Sequence, residues 1–109
     1  MRSPVFEVRT GPDGSVVIHP RGSVGEDKAV ELRQLLVHTV RRVRPLRLIV
    51  DLADVIELDP INLGSVVAAC DLGDDHQVAV FVDNPQGRLA DQLCAAGLPP
   101  QRVRNAPAR

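Results

Sequence analysis

The chain has 109 residues, 44% of them hydrophobic and 25% charged, with a formal net charge of −1. That length fits a single domain spanning 1–109, able to bury roughly 65% of the surface its unfolded chain exposes. The near-neutral charge excludes general nucleic-acid binding, which needs a strong positive field. With no Trp, no Tyr and only Phe6 and Phe81, platforms for stacking bases are missing too. Lys28 is the only lysine among 13 basic residues, an arginine skew that fits a GC-rich coding bias better than phosphate recognition.

No apolar stretch approaches the ~20 residues of a membrane span. The N-terminal MRSPVFEVRTGPDG has no signal-peptide h-region and runs straight into a strand-like pattern. A cytoplasmic protein without direct membrane insertion is expected. Cys70 and Cys94 form neither a CxxC pair nor a four-ligand zinc set. Both fall on apolar helix faces and read as buried, inert thiols.

In chain order, Val5 to Thr10 alternates apolar and polar residues, and Gly11-Pro12-Asp13-Gly14 is a turn cluster. Val16, Val17 and Ile18 open a second strand, so 5–20 reads as a β-hairpin closed by His19-Pro20. Gly22 and Gly25 mark a loop with unusual backbone angles. A first helix is expected from about Glu26 to Arg42, with Ala29, Leu32, Leu36, Val40 and Val43 at helical spacing. Its acids lie in the first turn and its arginines at the end, which complements the helix dipole.

Pro45 stops this helix, and Leu46 to Leu52 reads as a strand covered on both faces. Asp59-Pro60 is the strongest boundary in the chain, an N-cap carboxylate followed by proline at the first helical position. The helix it starts should run to about Asp71 and end at Gly73. Val78 to Val82 is a further buried strand, and Asp83-Asn84-Pro85 turns into a helix over about Gln86 to Ala96. That helix should turn Leu89, Leu93 and Cys94 inward, with Gly97 as its C-cap. Gln101 to Arg104 reads as a short edge strand, and Asn105 to Arg109 as frayed. The fold class is α/β, a mixed central sheet in ββαβαβαβ order with helices packed on it.

Four segments, in order, are similar to the STAS domain family, the fold of bacterial anti-sigma factor antagonists and of the cytoplasmic tails of sulphate transporters. Arg21-Gly22-Ser23-Val24-Gly25 sits where the family has Gly-x-Leu-Asp. Val50-Asp51-Leu52-Ala53-Asp54-Val55 resembles Asp-Leu-Ser-Gly-Val. Leu58-Asp59-Pro60-Ile61-Asn62-Leu63-Gly64 resembles Ile-Asp-Ser-Ser-Gly-Leu-Gly. Asp83-Asn84-Pro85 with Leu93 to Leu98 resembles the Asn-Pro turn and the Leu-x-x-x-Gly-Leu helix end. The resemblance covers about 5–105 and implies a protein-interaction module.

The departures are informative. In switchable members the second Ser of Asp-Ser-Ser-Gly is phosphorylated by a kinase that is also the anti-sigma factor. Such a phosphate places about −1.5 to −2 charges in the first turn of a helix. Here the two serine positions hold Pro60 and Ile61, so the family's phosphoacceptor position has no hydroxyl. Gly25 likewise replaces the interface Asp of the earlier loop.

The resemblance implies a docking face formed by Gly22, Ser23, Gly25 and Glu26 with Asp59, Pro60, Ile61, Asn62, Leu63 and Ser65. Its expected partner is a serine-kinase-like ATPase acting as anti-sigma factor, bound without phosphoserine switching. The alternative is a small cytoplasmic subunit of a membrane transporter of the lipid-trafficking ABC type. Self-association through the edge strand stays open. Ser65, flanked by Leu63, Val66 and Val67, reads as packed or bonded back to its own helix. Asp54, Glu57 and Asp59, and Asp71, Asp74 and Asp75, read as solvated carboxylates rather than metal ligands. His19, His38 and His76 pair with no nucleophile at a recognisable spacing, and Leu63-Gly64-Ser65-Val66-Val67 is no nucleophile elbow. Catalytic residues, metal and cofactor are expected to be none.

Overall fold

The computed structural model describes residues 6–107. The expected strand start at Val5 and the last frayed residues, 108 and 109, lie outside the described residues. Strands β1 (Phe6–Thr10) and β2 (Ser15–Pro20) form the expected antiparallel hairpin. Strand β2 then pairs in parallel with β4 (Arg47–Asp51), β4 with β6 (Ala79–Asp83), and β6 with the two-residue edge strand β7 (Val103–Arg104). The sheet order is β1-β2-β4-β6-β7.

One face of this sheet presents Val16, Ile18, Leu48, Val50, Val80 and Val82 to the core. Helices α1 (Ala29–His38), α2 (Pro60–Asp75) and α3 (Gly87–Ala95) cover it with Leu32 and Leu36, Leu63 and Val66, and Leu89 and Leu93. On the other face the register aligns Val17, Ile49 and Phe81 across three strands. The Arg104 guanidinium lies 4.2 Å from the Phe81 ring centroid. Arg104 also donates two hydrogen bonds, of 2.8 and 3.1 Å, to the Asp83 carboxylate, fixing the sheet's last edge.

Two short strands were not expected. β3 (Gly22–Val24) and β5 (Val55–Leu58) pair in parallel as a separate two-stranded sheet. The five-stranded sheet and its three helices keep the expected ββαβαβαβ order, and the two added strands make the full series ββ-β-α-ββ-α-β-α-β. Gly-Ser-Val is too short and too glycine-containing to read as a strand, and Val55-Ile56-Glu57-Leu58 shows no alternation. Their pairing is a tertiary event.

The helix limits also differ. The first helix opens with a 3₁₀ turn at Glu26–Lys28 and closes with a π turn at Thr39–Val43. Arg44, at φ +51° and directly before Pro45, donates its amide to Thr39 O at 2.9 Å, which unwinds the end. Gly73 does not terminate α2 but is buried inside it. A Cβ there would lie 2.5 Å from Val78 O and 2.6 Å from Val80 Cγ2, so glycine is needed for close approach of helix to strand. Gly97 caps α3 as expected, at φ +112°. The Leu98 amide reaches Leu93 O and the Gly97 amide reaches Cys94 O, both at 3.0 Å, the pattern of a Schellman cap. Cys94 is exposed, against expectation, while Cys70 is buried and its thiol is pushed by burial up to about 11.

Candidate functional site: the tip of α2 and the β3–α1 loop

The two-stranded sheet brings together residues far apart in the chain. Between Gly22 and Ser23 its register shifts, so that Gly22 pairs with Val55 while Ser23 pairs with Glu57. Ile56 is left without a counterpart and turns outward, 71% exposed. Gly22 sits at φ +72°, and its amide donates to Asp54 O at 2.8 Å. Gly25, by contrast, is extended at φ −88° and needs no glycine for its conformation, contrary to the expectation for both glycines. A 2.8 Å hydrogen bond between His19 Nε2 and Asp54 Oδ2 ties the end of β2 to the turn before β5.

Asp59 caps α2 as its sequence demanded, with Oδ1 accepting from the Ile61 amide at 3.0 Å and Pro60 at the first helical position. The Asp59 amide in turn donates to Val24 O at 3.0 Å. Asn62, one turn in, is fully buried. Its Nδ2 donates to Val24 O at 3.0 Å and to Gly25 O at 2.9 Å, pinning the β3–α1 loop against the helix tip. The loop and the tip are thus joined in one continuous surface.

The ten residues expected to form a docking face therefore divide. Ser23, Glu26, Pro60 and Ile61 are exposed, Ile61 at 54%, and Gly22, Gly25, Asp59 and Ser65 are half-buried. Asn62 and Leu63 are buried and reach no partner directly, a correction to their expected place on the face. Asn62 shapes the surface from beneath, and Leu63 belongs to the core. Ser65 Oγ donates to Ile61 O at 3.2 Å, back along its own helix.

Sequence reasoning missed the other wall of the site. A groove of about 480 Å³ separates the tip, at Gly25, Glu57 and Asp59, from Gln86 at the N-cap of α3 and Arg88 and Gln92 within it. No motif marks these α3 residues. The signal for Ile56 was available, as an isoleucine between the expected strand end at Leu52 and the Asp59 cap. Glu57 and Asp59 line this groove on the tip side with Arg88 on the other wall, and Glu26 and Asp27 are exposed on the loop that Asn62 holds. Among the described residues no group of three or more His, Cys, Asp or Glu is arranged to hold a metal. Asp74 is engaged instead by Arg102 at 2.8 Å.

No family model and no curated protein sequence matches the chain. Solved structures do. SpoIIAA, a Bacillus cell-fate determinant in its phosphorylated form, superposes with a TM-score of 0.79 at 15% identity, over 94% of this chain and 91% of that one. An anti-sigma factor antagonist from Mycobacterium paratuberculosis gives 0.71 at 23% identity, over 94% and 85%. The murine anion transporter Slc26a9 matches with a TM-score of 0.68 at 12% identity, over 87% of this chain but only 17% of its own. Among the described residues, no helix is long and apolar enough to cross a membrane. With the mixed sheet, its covering helices and the capped tip of α2, the chain has the STAS fold that the anti-sigma factor antagonists share.

Proposed function

We propose that this chain is a protein-docking module of the anti-sigma factor antagonist type, which binds a kinase-like anti-sigma factor through the β3–α1 loop and the tip of α2. The observation that carries this reading is Ile61, 54% exposed at the first turn of a helix whose cap and loop are locked by Asp59 and Asn62. A large apolar side chain held rigidly in solvent at the centre of a polar rim is the anatomy of an interface anchor. Ile56 and Pro60 extend the apolar centre, and Glu26, Glu57 and Asp59 favour a partner that is basic around an apolar pocket.

With Pro60 and Ile61 where the family has serines, this module docks without a phosphorylation switch at that position. Ser65, bonded to Ile61 O, is a poor substitute acceptor. The SpoIIAA structures, in unphosphorylated and phosphorylated form, supply the contrast.

The test is titration calorimetry against kinase-like anti-sigma factors encoded beside the gene, with wild type and Ile61→Asp. Wild type should bind, and the variant should lose at least about tenfold in affinity, or ~1.4 kcal/mol, with unchanged circular dichroism. An Ile61→Asp protein that unfolds would place this side chain in the core and end the reading. So would one phosphate gained between residues 59 and 65 on incubation with kinase and ATP, measured by intact mass. Co-purification with a permease and its ATPase would instead favour the transporter-subunit alternative.

A further inference from the structure

The flank of α2 carries a second feature that the tip does not explain. Between α1 and α2 lies a groove of about 440 Å³, with Leu36 and Leu72 in its floor and Ile61, Gly64, Ser65 and Ala68 along one wall. We propose that this groove is a second docking surface, and that its occupant is an acidic amphipathic helix of a partner protein.

Three observations support this. First, Gly64 sits in the interior of a 16-residue helix, where glycine is disfavoured, yet a Cβ built there meets nothing within 4 Å. Nothing inside the chain asks for glycine at this position, unlike Gly73 nine residues on in the same helix, where Val78 O would collide. The missing side chain opens the groove to something outside the chain, and residues this small let a second helix approach to the roughly 8–10 Å of packed helix pairs.

Second, the opposite rim is basic. Arg33 and Arg41 line the groove and Arg42 stands beside it, and none of the three is in an ion pair among the described residues. Glu31, Asp71 and Asp75 are exposed on the same two helices but pair with none of them. The rim thus retains its charge for a complementary partner.

Third, both walls are helices, so no strand edge is available to pair with an extended peptide, and a guest must satisfy its own backbone. From Ile61 to Leu72 the wall is about 16 Å long at 1.5 Å per residue, room for three turns of helix. A narrow concave site on a chain of net charge −1 suits such a helix better than a flat anionic membrane.

The proposal shares Ile61 with the tip reading but rests on other residues, Gly64, Arg33 and Arg41. Its test is fluorescence anisotropy with a labelled, end-capped peptide of about 15 residues, about four turns, bearing leucine on one face and glutamate on the other. A counterpart with lysine in place of glutamate serves as comparison. The glutamate peptide should bind at least about tenfold more tightly, and more weakly as salt rises. Gly64→Leu should fill the groove and lose most of that binding while keeping the native circular dichroism. The Arg33→Glu, Arg41→Glu double variant should reverse the preference between the peptides. Equal binding of both peptides, no saturable binding, or indifference to Gly64→Leu would overturn the proposal. Two further outcomes would also do so: a wild-type dimer that Gly64→Leu dissociates, which makes a second copy the occupant, or Arg41-dependent retention on phosphatidylserine vesicles without peptide binding.

Discussion

The tip of α2 and the groove along its flank share a helix and even a side chain, Ile61, yet they are built in opposite ways. The tip is held by polar bonds: Asp59 on the Ile61 amide, Asn62 on two carbonyls of the β3–α1 loop. It offers Pro60 and Ile61, both exposed, near the exposed carboxylates of Glu26 and Glu57. The groove is held by packing of α1 on α2 over Leu32, Leu36, Val66 and Ala69, and it offers a recess with arginines at its edge. If both surfaces dock as proposed, a tip beside exposed carboxylates and a recess edged with arginines suit partners of different charge, with Ile61 at the boundary between them.

The largest effect should come from Leu36→Asp, which strikes where groove and core coincide. Leu36 is 1% exposed and floors the groove, so a carboxylate there is buried without a partner at a cost of several kcal/mol. Loss of the cooperative urea transition is the expected outcome. A folded variant would mean that the groove floor is not part of the core.

Asn62→Ala separates the two regions more cleanly. Each carbonyl it serves keeps one backbone partner, Asp59 N on Val24 O and Lys28 N on Gly25 O. The expected loss is therefore about 1–2 kcal/mol rather than the full penalty of orphaned groups. Amide exchange should accelerate in residues 22–28 and around Asp59, but not along the middle of α1. Uniform acceleration would show that tip and groove are one cooperative unit.

Asp59→Ala removes only the cap and should cost about 1 kcal/mol in the urea midpoint, since Pro60 still pre-sets the first turn. No loss would mean that the Asp59 side chain does not hold the first turn. The smallest change is of opposite sign. Gly64→Ala adds a methyl to open space in a helix and should stabilise the free protein by about 0.5–1 kcal/mol, a rise of a few degrees in Tm. Gly73→Ala, with Val78 O in the way, should do the reverse. Equal shifts in the two variants would remove the contrast on which the openness of the groove rests.

Much of this molecule was legible before any coordinates. The hairpin, the strands over 47–51 and 79–83, the cap Asp59-Pro60 and the C-cap Gly97 each depend on a few adjacent residues, whose backbone preferences and burial periodicity act locally. So did the absence of a hydroxyl at Ile61. The remainder depended on contacts that no local pattern encodes. Gly73 looked like a helix terminator because glycine often is one, but the approach of β6 made it an interior necessity. Cys94 looked inward by its spacing, and α3 turned it to solvent.

Local chemistry alone therefore determined the hairpin, the strands over 47–51 and 79–83, where α2 begins, and that its first turn carries an isoleucine without a hydroxyl. Tertiary structure decided what surrounds that isoleucine. Val24 and Asn62 meet across 38 residues of chain, and the bulge that exposes Ile56 exists only because β3 pairs with β5 in one register. Burial and close approach are properties of neighbours in space, and a residue learns them only when the chain has closed around it.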